Sequence, residues 1–161
     1  MQLYRLILIR HGAAAGRAAN GGDRERALSA EGRQAISALA PRLAPFGAPH
    51  SILCSPARRT RETLEILMRA LSWTVAPDWE DRLYPGDNLA LPACLREIDD
   101  ASEQVVVVGH NPDIAEFAAH LGDAPELREF RPGAAAVFET SDPWFKLGSG
   151  SRPALVAYYV P

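Results

Sequence analysis

Leu6-Ile7-Leu8-Ile9-Arg10-His11-Gly12 and, much later in the chain, Val105-Val106-Val107-Val108-Gly109-His110-Asn111-Pro112 decide the fold. Each is an unbroken aliphatic run that stops at a glycine-flanked histidine. Runs without alternation fit strands covered on both faces, as in a parallel sheet. In open α/β sheets, ligands lie in the crevice beyond the carboxyl ends of such strands. The two runs therefore predict that His11 and His110 reach one sheet edge, with Arg10 beside them. Two imidazoles and a guanidinium there suit an anion and a nucleophile.

The pattern on either side keeps to the same class. Gln2–Ile9 is expected as the first strand. Arg10–Leu28, with Gly12, Gly16, Gly21 and Gly22, reads as a long polar loop, a length that is usually functional. Ser29 is placed to cap a helix with Ala35, Ile36, Leu39, Ala40 and Leu43 on its apolar face, and Pro41 is expected to kink or end it. Ser51–Cys54 reads as a strand. Ser55-Pro56 follows as N-cap and first helical residue, opening a helix to about Ala70 with Ala57, Thr60, Leu64, Leu67, Met68 and Leu71 inward.

Trp73–Ala76 is expected as a third strand, and Trp79–Asp87 as a loop with a turn at Tyr84-Pro85-Gly86. Asn88–Ile98 reads as a helix despite Pro92, Gln104–Val108 as the central strand, and Asn111-Pro112 as the start of a helix through Leu121. Ala134–Glu139 and Leu155–Val160 read as two last strands, with Gly148-Ser149-Gly150-Ser151 as a hairpin tip. Alternating helices and strands with no linker or repeat predict one α/β domain over residues 1–161.

Bulk properties narrow the function classes. Of 161 residues, 47% are hydrophobic and 23% charged, ordinary for a globular domain. A net charge of −3 argues against a nucleic-acid binder or a polybasic membrane anchor. Lys146 is the one lysine among 17 basic residues; with the abundant alanine this reads as codon bias, leaving a few arginines as phosphate forks. Cys54 and Cys94 lack metal or CxxC spacing and read as reduced, buried thiols. There is no apolar stretch of the ~18 residues a membrane span needs, and no signal-peptide layout. The expected location is the cytoplasm, as a monomer or weak homo-oligomer.

No P-loop or dinucleotide motif is present, and no His/Asp/Glu group has metal spacing, so no cofactor is expected. His50 and His120 read as surface or cap residues; Trp73, Trp79 and Trp144 read as core or rim.

Three segments face an anion. Arg10 offers a planar fork beside His11, and Gly12 allows close backbone approach. His110 sits at a helix start, where free N–H groups and the dipole favour negative charge; capping is the plain reading of Asn111. Ser55-Pro56-Ala57-Arg58-Arg59-Thr60 opens a second helix, with Arg58 and Arg59 off its apolar face and Arg61 flanking it. Singly, these are strand-end histidines and a solvated basic face. Together they point to an oxyanion pocket.

In these pieces the chain resembles the histidine phosphatase superfamily, and within it the small SixA-type phosphohistidine phosphatases. The matching stretches are Arg10-His11-Gly12, Arg26-Ala27-Leu28-Ser29-Ala30-Glu31-Gly32, Ser55 to Thr60, Leu83-Tyr84-Pro85, and Val108-Gly109-His110-Asn111-Pro112. The resemblance implies a three-layer α/β/α sandwich around a mostly parallel sheet. It implies that His11 is the nucleophile, transiently phosphorylated, and that Arg10, Arg59 and His110 form the phosphate pocket. Arg59 matches the arginine of the family's Ser-Pro-x-x-Arg; Arg58 falls on an x position. His11 must then attack through a neutral nitrogen, so a backbone carbonyl is expected to hold its other N–H.

One stretch departs from the family. Larger members protonate an alcohol leaving group with an acidic residue, and that position falls on or next to Arg82, leaving Glu80 and Asp81 as displaced candidates. A phosphohistidine imidazole can leave carrying its own proton and needs such an acid less. The implied substrate is therefore a phosphohistidine on a protein. The rivals are a phosphatase for small phosphorylated metabolites, for which Glu80 or Asp81 would serve as acid, and a non-catalytic phospho-ligand binding module. A mutase fits less well, because no lid is apparent in the sequence.

Overall fold

A computed structural model describes residues 1–17, 20–85 and 87–161. The two aliphatic runs become β1 (Tyr4–Arg10) and β4 (Gln104–Gly109), hydrogen-bonded in parallel with Arg10 opposite Gly109. They occupy the middle of a six-stranded sheet. The other strands are β2 (Ser51–Cys54), β3 (Asp78–Trp79), β5 (Ala135–Thr140) and β6 (Ala154–Tyr159), in the order β3-β2-β4-β1-β5-β6. β3, β2, β4 and β1 run parallel; β5 is antiparallel to both β1 and β6. The sheet is mostly parallel, as expected.

Alternation along the two central strands builds two cores. Leu6, Leu8, Val105 and Val107 face a layer with α3 (Ala90–Arg96) and α4 (Asp113–Gly122), against Leu91, Leu95, Ile114 and Phe117. Ile7, Ile9, Val106 and Val108 face α1 (Ala30–Leu43) and α2 (Arg58–Leu71), against Ile36, Leu39, Leu64 and Leu67. Covered strands can be apolar at every position, which is why these runs do not alternate. The result is helix, sheet and helix in three layers. Among the described residues, no helix is long and apolar enough to cross a membrane.

Several local expectations need correction. Trp73–Ala76 is not a strand: α2 ends at Leu71, Ser72 after it turns the chain in the left-handed region, and Trp73 inserts into the core beside α1 and α2. Pairing with β2 begins only once the chain has returned to the sheet edge, at Asp78 and Trp79. Pro41 does not end α1, which runs on to Leu43, because the proline lies in its last turn. Ser55 and Pro56 do not open α2; the helix starts at Arg58, with no side-chain cap. Asn111 does not cap α4 either, since its Nδ2 donates to the Phe130 carbonyl at 2.7 Å. The Arg10–Leu28 loop carries an Ala14–Leu28 bridge and a 3-10 turn at Gly22–Glu25. Gly86 of the expected Tyr84-Pro85-Gly86 turn lies outside the described residues, as do Ala18 and Ala19 of that loop.

Ser29 does cap α1, its Oγ accepting from the Gly32 N–H at 3.0 Å. At Gly32 the helix touches the chain leaving β1 so closely that a Cβ would lie 2.1 Å from the Ala13 carbonyl oxygen. That contact, with Ser29 N–H donating to Ala13 O at 2.8 Å, seats the segment after His11 directly on α1.

Candidate active site

Because β1 and β4 are adjacent and in register, their last residues deliver His11 and His110 side by side, with ring centroids 5.2 Å apart. Both are buried, 8% and 2% exposed. The His11 main-chain N–H donates to the Gly109 carbonyl, and Gly133 N–H donates to the carbonyls of Arg10 and His11. The first histidine is thus held from β4 on one side and from the approach to β5 on the other.

The His11 Nδ1 lies 2.6 Å from the Gly12 carbonyl oxygen. A carbonyl only accepts, so Nδ1 carries the proton, and Nε2 of the neutral ring presents a lone pair. Burial, with the nearby charges of Arg59 and Arg10, holds the His11 pKa down to about 4 against the hydrogen bond to Gly12. His110 is pushed to about 3, first by burial and then by His11 and Arg59. Both imidazoles are therefore neutral at neutral pH. His110 Nε2 meets the Ser55 hydroxyl at 2.7 Å, while its buried Nδ1 has no partner among the described residues.

Arg10 donates through Nη1 to the Phe130 carbonyl at 3.0 Å, and its buried Nε has no partner among the described residues. Arg59 enters from the first turn of α2. Gly12 N–H donates to Thr63 Oγ1 at 3.0 Å, and that hydroxyl donates to the Arg59 carbonyl at 2.8 Å. This joins the Arg59 turn to the residue following His11. The helical wheel put Arg59 off the apolar face, yet its side chain is only 6% exposed. Its guanidinium is engaged by Asp23: Nη1 donates to the Asp23 carbonyl at 2.8 Å and Nη2 to its Oδ2 at 3.1 Å. Arg58 is exposed and lies near Glu62, outside this group.

The sequence reading missed Asp23, Tyr84, Ser55 and Thr63. Tyr84 donates to Asp23 Oδ2 at 2.5 Å and stands edge-on to His110, with centroids 5.6 Å apart. Ser55 and Tyr84 lie in stretches the sequence marked, for an anion-facing helix start, a turn and the family resemblance, but neither side chain was given a role. Asp23 had no signal beyond its place in the long loop. The two acid candidates are each engaged by an arginine outside the proposed pocket. Glu80 is engaged by the Arg82 guanidinium, which holds its carboxyl below the usual range. Asp81, 85% exposed, pairs with Arg24. Among the described residues, neither carboxylate hydrogen-bonds to either histidine.

Fold and site place the chain in a known class. It belongs to the histidine phosphatase superfamily (branch 1), whose family model matches residues 6–84, and it is by class a phosphatase hydrolase. Within that class it is similar to proteins named SixA. The structure assigned as the phosphohistidine phosphatase SixA from Nakamurella multipartitia is 30% identical and aligns with a TM-score of 0.86 over 100% of this chain and 98% of that one. A structure of the protein histidine phosphatase SixA complexed with tungstate is 25% identical, with a TM-score of 0.80 over 96% of this chain and 95% of that one. An uncharacterised protein of Picosynechococcus sp. is 37% identical over 121 residues, 73% of this chain and 71% of its own.

Proposed function

We propose that this phosphatase removes phosphate from phosphohistidine on a protein, without a metal, through a phosphohistidine intermediate on His11. The observation that carries the reading is the 2.6 Å contact from His11 Nδ1 to the Gly12 carbonyl, which leaves Nε2 as the free nucleophilic nitrogen of a neutral ring. His11 Nε2 attacks phosphorus. The substrate's P–N bond breaks, and its imidazole, already protonated, departs neutral with the bonding pair. Water then attacks the His11 phosphoramide, releasing inorganic phosphate and a proton and restoring the ring. Two easier displacements replace one hard one.

Phosphoryl transfer asks the protein mainly to position groups and neutralise charge. The buried Arg10 Nε and His110 Nδ1 are without partners among the described residues, and a buried polar group left unsatisfied costs about 1–3 kcal/mol. A phosphoryl oxygen would satisfy both. His110 would then donate from Nδ1 while Nε2 accepts from Ser55, and Arg59 would supply further donors. Tungstate, which the SixA complex holds, is a tetrahedral oxyanion of the same kind.

Glu80, held ionised by Arg82, is a poor proton donor for an alcohol leaving group, which supports a P–N substrate over a sugar or glycerate ester. The test compares a phosphohistidine protein with a panel of small phosphate esters. Wild type is expected to prefer the phosphohistidine, and His11→Ala to lose turnover of both at unchanged folding. Equal turnover by His11→Ala would remove the nucleophile. Faster ester hydrolysis that is lost in Glu80→Gln or Asp81→Asn would make the protein a small-ester phosphatase.

A further inference from the structure

The 3-10 turn Gly22–Glu25 has no buried residue, so the core does not fix its position. Polar contacts do. The Asp23 carboxylate alone gathers three of them: Oδ2 accepts from Arg59 Nη2 and Tyr84 Oη, and Oδ1 accepts from Arg26 Nη1 at 3.2 Å. Its main-chain oxygen accepts from Arg59 Nη1. Arg24 stands over the Tyr84 ring at 5.3 Å and pairs with Asp81, so the turn also rests on the segment after β3. One carboxylate thus links the Arg59 turn of α2, the loop after β1 and the tyrosine beside His110.

Arg59 needs such a partner. It is nearly buried, and Asp23 is the one carboxylate paired with it among the described residues. A buried guanidinium without a counter-charge is costly, and an unanchored one has a flexible stem. Two of its five N–H donors go to Asp23, which leaves three for an oxyanion.

We infer that Asp23 is a positioning residue for Arg59, gripping one side of the guanidinium so that the remaining donors are held ready for the phosphoryl group. The inference rests on the phosphatase reading of Arg59. The contrary possibility has the opposite sign: a carboxylate seated on a phosphate-binding arginine can be an internal competitor that substrate must displace.

The experiment measures vanadate inhibition, with kcat and KM on an aryl phosphate, for Asp23→Ala, Asp23→Asn, Arg59→Ala and the Asp23→Ala/Arg59→Ala double variant, with Tm followed throughout. Asp23→Ala is expected to weaken vanadate binding about tenfold, the scale of a hydrogen bond to a charged group, and to lower kcat. Asp23→Asn, which keeps an oxygen acceptor, is expected to fall between wild type and Ala. In the Arg59→Ala background, Asp23→Ala is expected to cost nothing further, because a residue that acts through another loses its effect when that other is gone. A purely structural role would instead give losses that add. Tighter vanadate binding in Asp23→Ala would make it the internal competitor; unchanged binding or additive losses would also overturn the inference. Impaired Arg59→Ala with normal Asp23→Ala would sink Asp23 alone. Normal Arg59→Ala would remove the arginine's role, and this inference with it.

Discussion

The Gly12 carbonyl does to His11 what an acid–base partner does in many enzymes: it fixes which ring nitrogen is free. Burial adds the second condition by keeping the ring unprotonated down to about pH 4. A rate that needs neutral His11 has its acid limb at the pKa of the free enzyme when read as kcat/KM. Corrected for the substrate's own ionisation, kcat/KM on an aryl phosphate is expected to stay flat through pH 6.5 and fall only as about 4 is approached. An acid limb near 6.5 would mean an exposed, ordinary imidazole. At this scale, His11, Arg10 and His110 were legible because each sits at the end of an aliphatic run that can only be a covered strand. Arg59 came from the family motif, since a helical wheel sends it to solvent. Asp23 and Tyr84 were hidden because their meaning depends on partners 36 and 61 residues apart in the chain, and local pattern carries no such information.

Among the elements, α1 bears on the site although it supplies none of the proposed catalytic groups. Gly32 lets its first turn meet the backbone at Ala13, just after the His11-Gly12 pair. A methyl group at 2.1 Å from a main-chain oxygen cannot be relieved by a rotamer change; helix or loop must move. Gly32→Ala is therefore expected to cost at least the roughly 1–3 kcal/mol of core overpacking, read as a lower denaturation midpoint, and to reduce turnover by displacing Gly12. Unchanged stability would show that the two segments are looser than described. Element type was largely readable from periodicity and turn residues. Three of the failures share one cause: at Ser55 and Asn111, side chains that ordinarily cap helices are engaged elsewhere, by His110 and by the Phe130 carbonyl. At Trp73 a β-favouring residue serves as a core plug. Tertiary demand overrode local preference in each case.

For the whole molecule, two neutral imidazoles buried beside arginines set a limit on acid stability. In the unfolded chain both histidines bind protons below about 6.5; in the fold they resist until about 4 and 3. Between those values the unfolded state holds more protons, so unfolding free energy falls as pH drops, by up to about 1.4 kcal/mol per pH unit for each group. Denaturant midpoints are expected to decline from pH 6.5 toward 4, and His110→Asn to flatten part of that decline. A wild-type profile without slope there would contradict the burial of the pair. The sheet that buries them also carries a consequence for handling the protein. His11 and His110 are neighbours only because Arg10 lies opposite Gly109, and a slip of one residue between these strands would send alternate side chains to the other face. Mispaired molecules would keep their helices while lacking any competent centre. Specific activity is accordingly a gauge of folding fidelity, and a preparation that looks sound by circular dichroism but turns over slowly should be suspected of strand misalignment before poor chemistry.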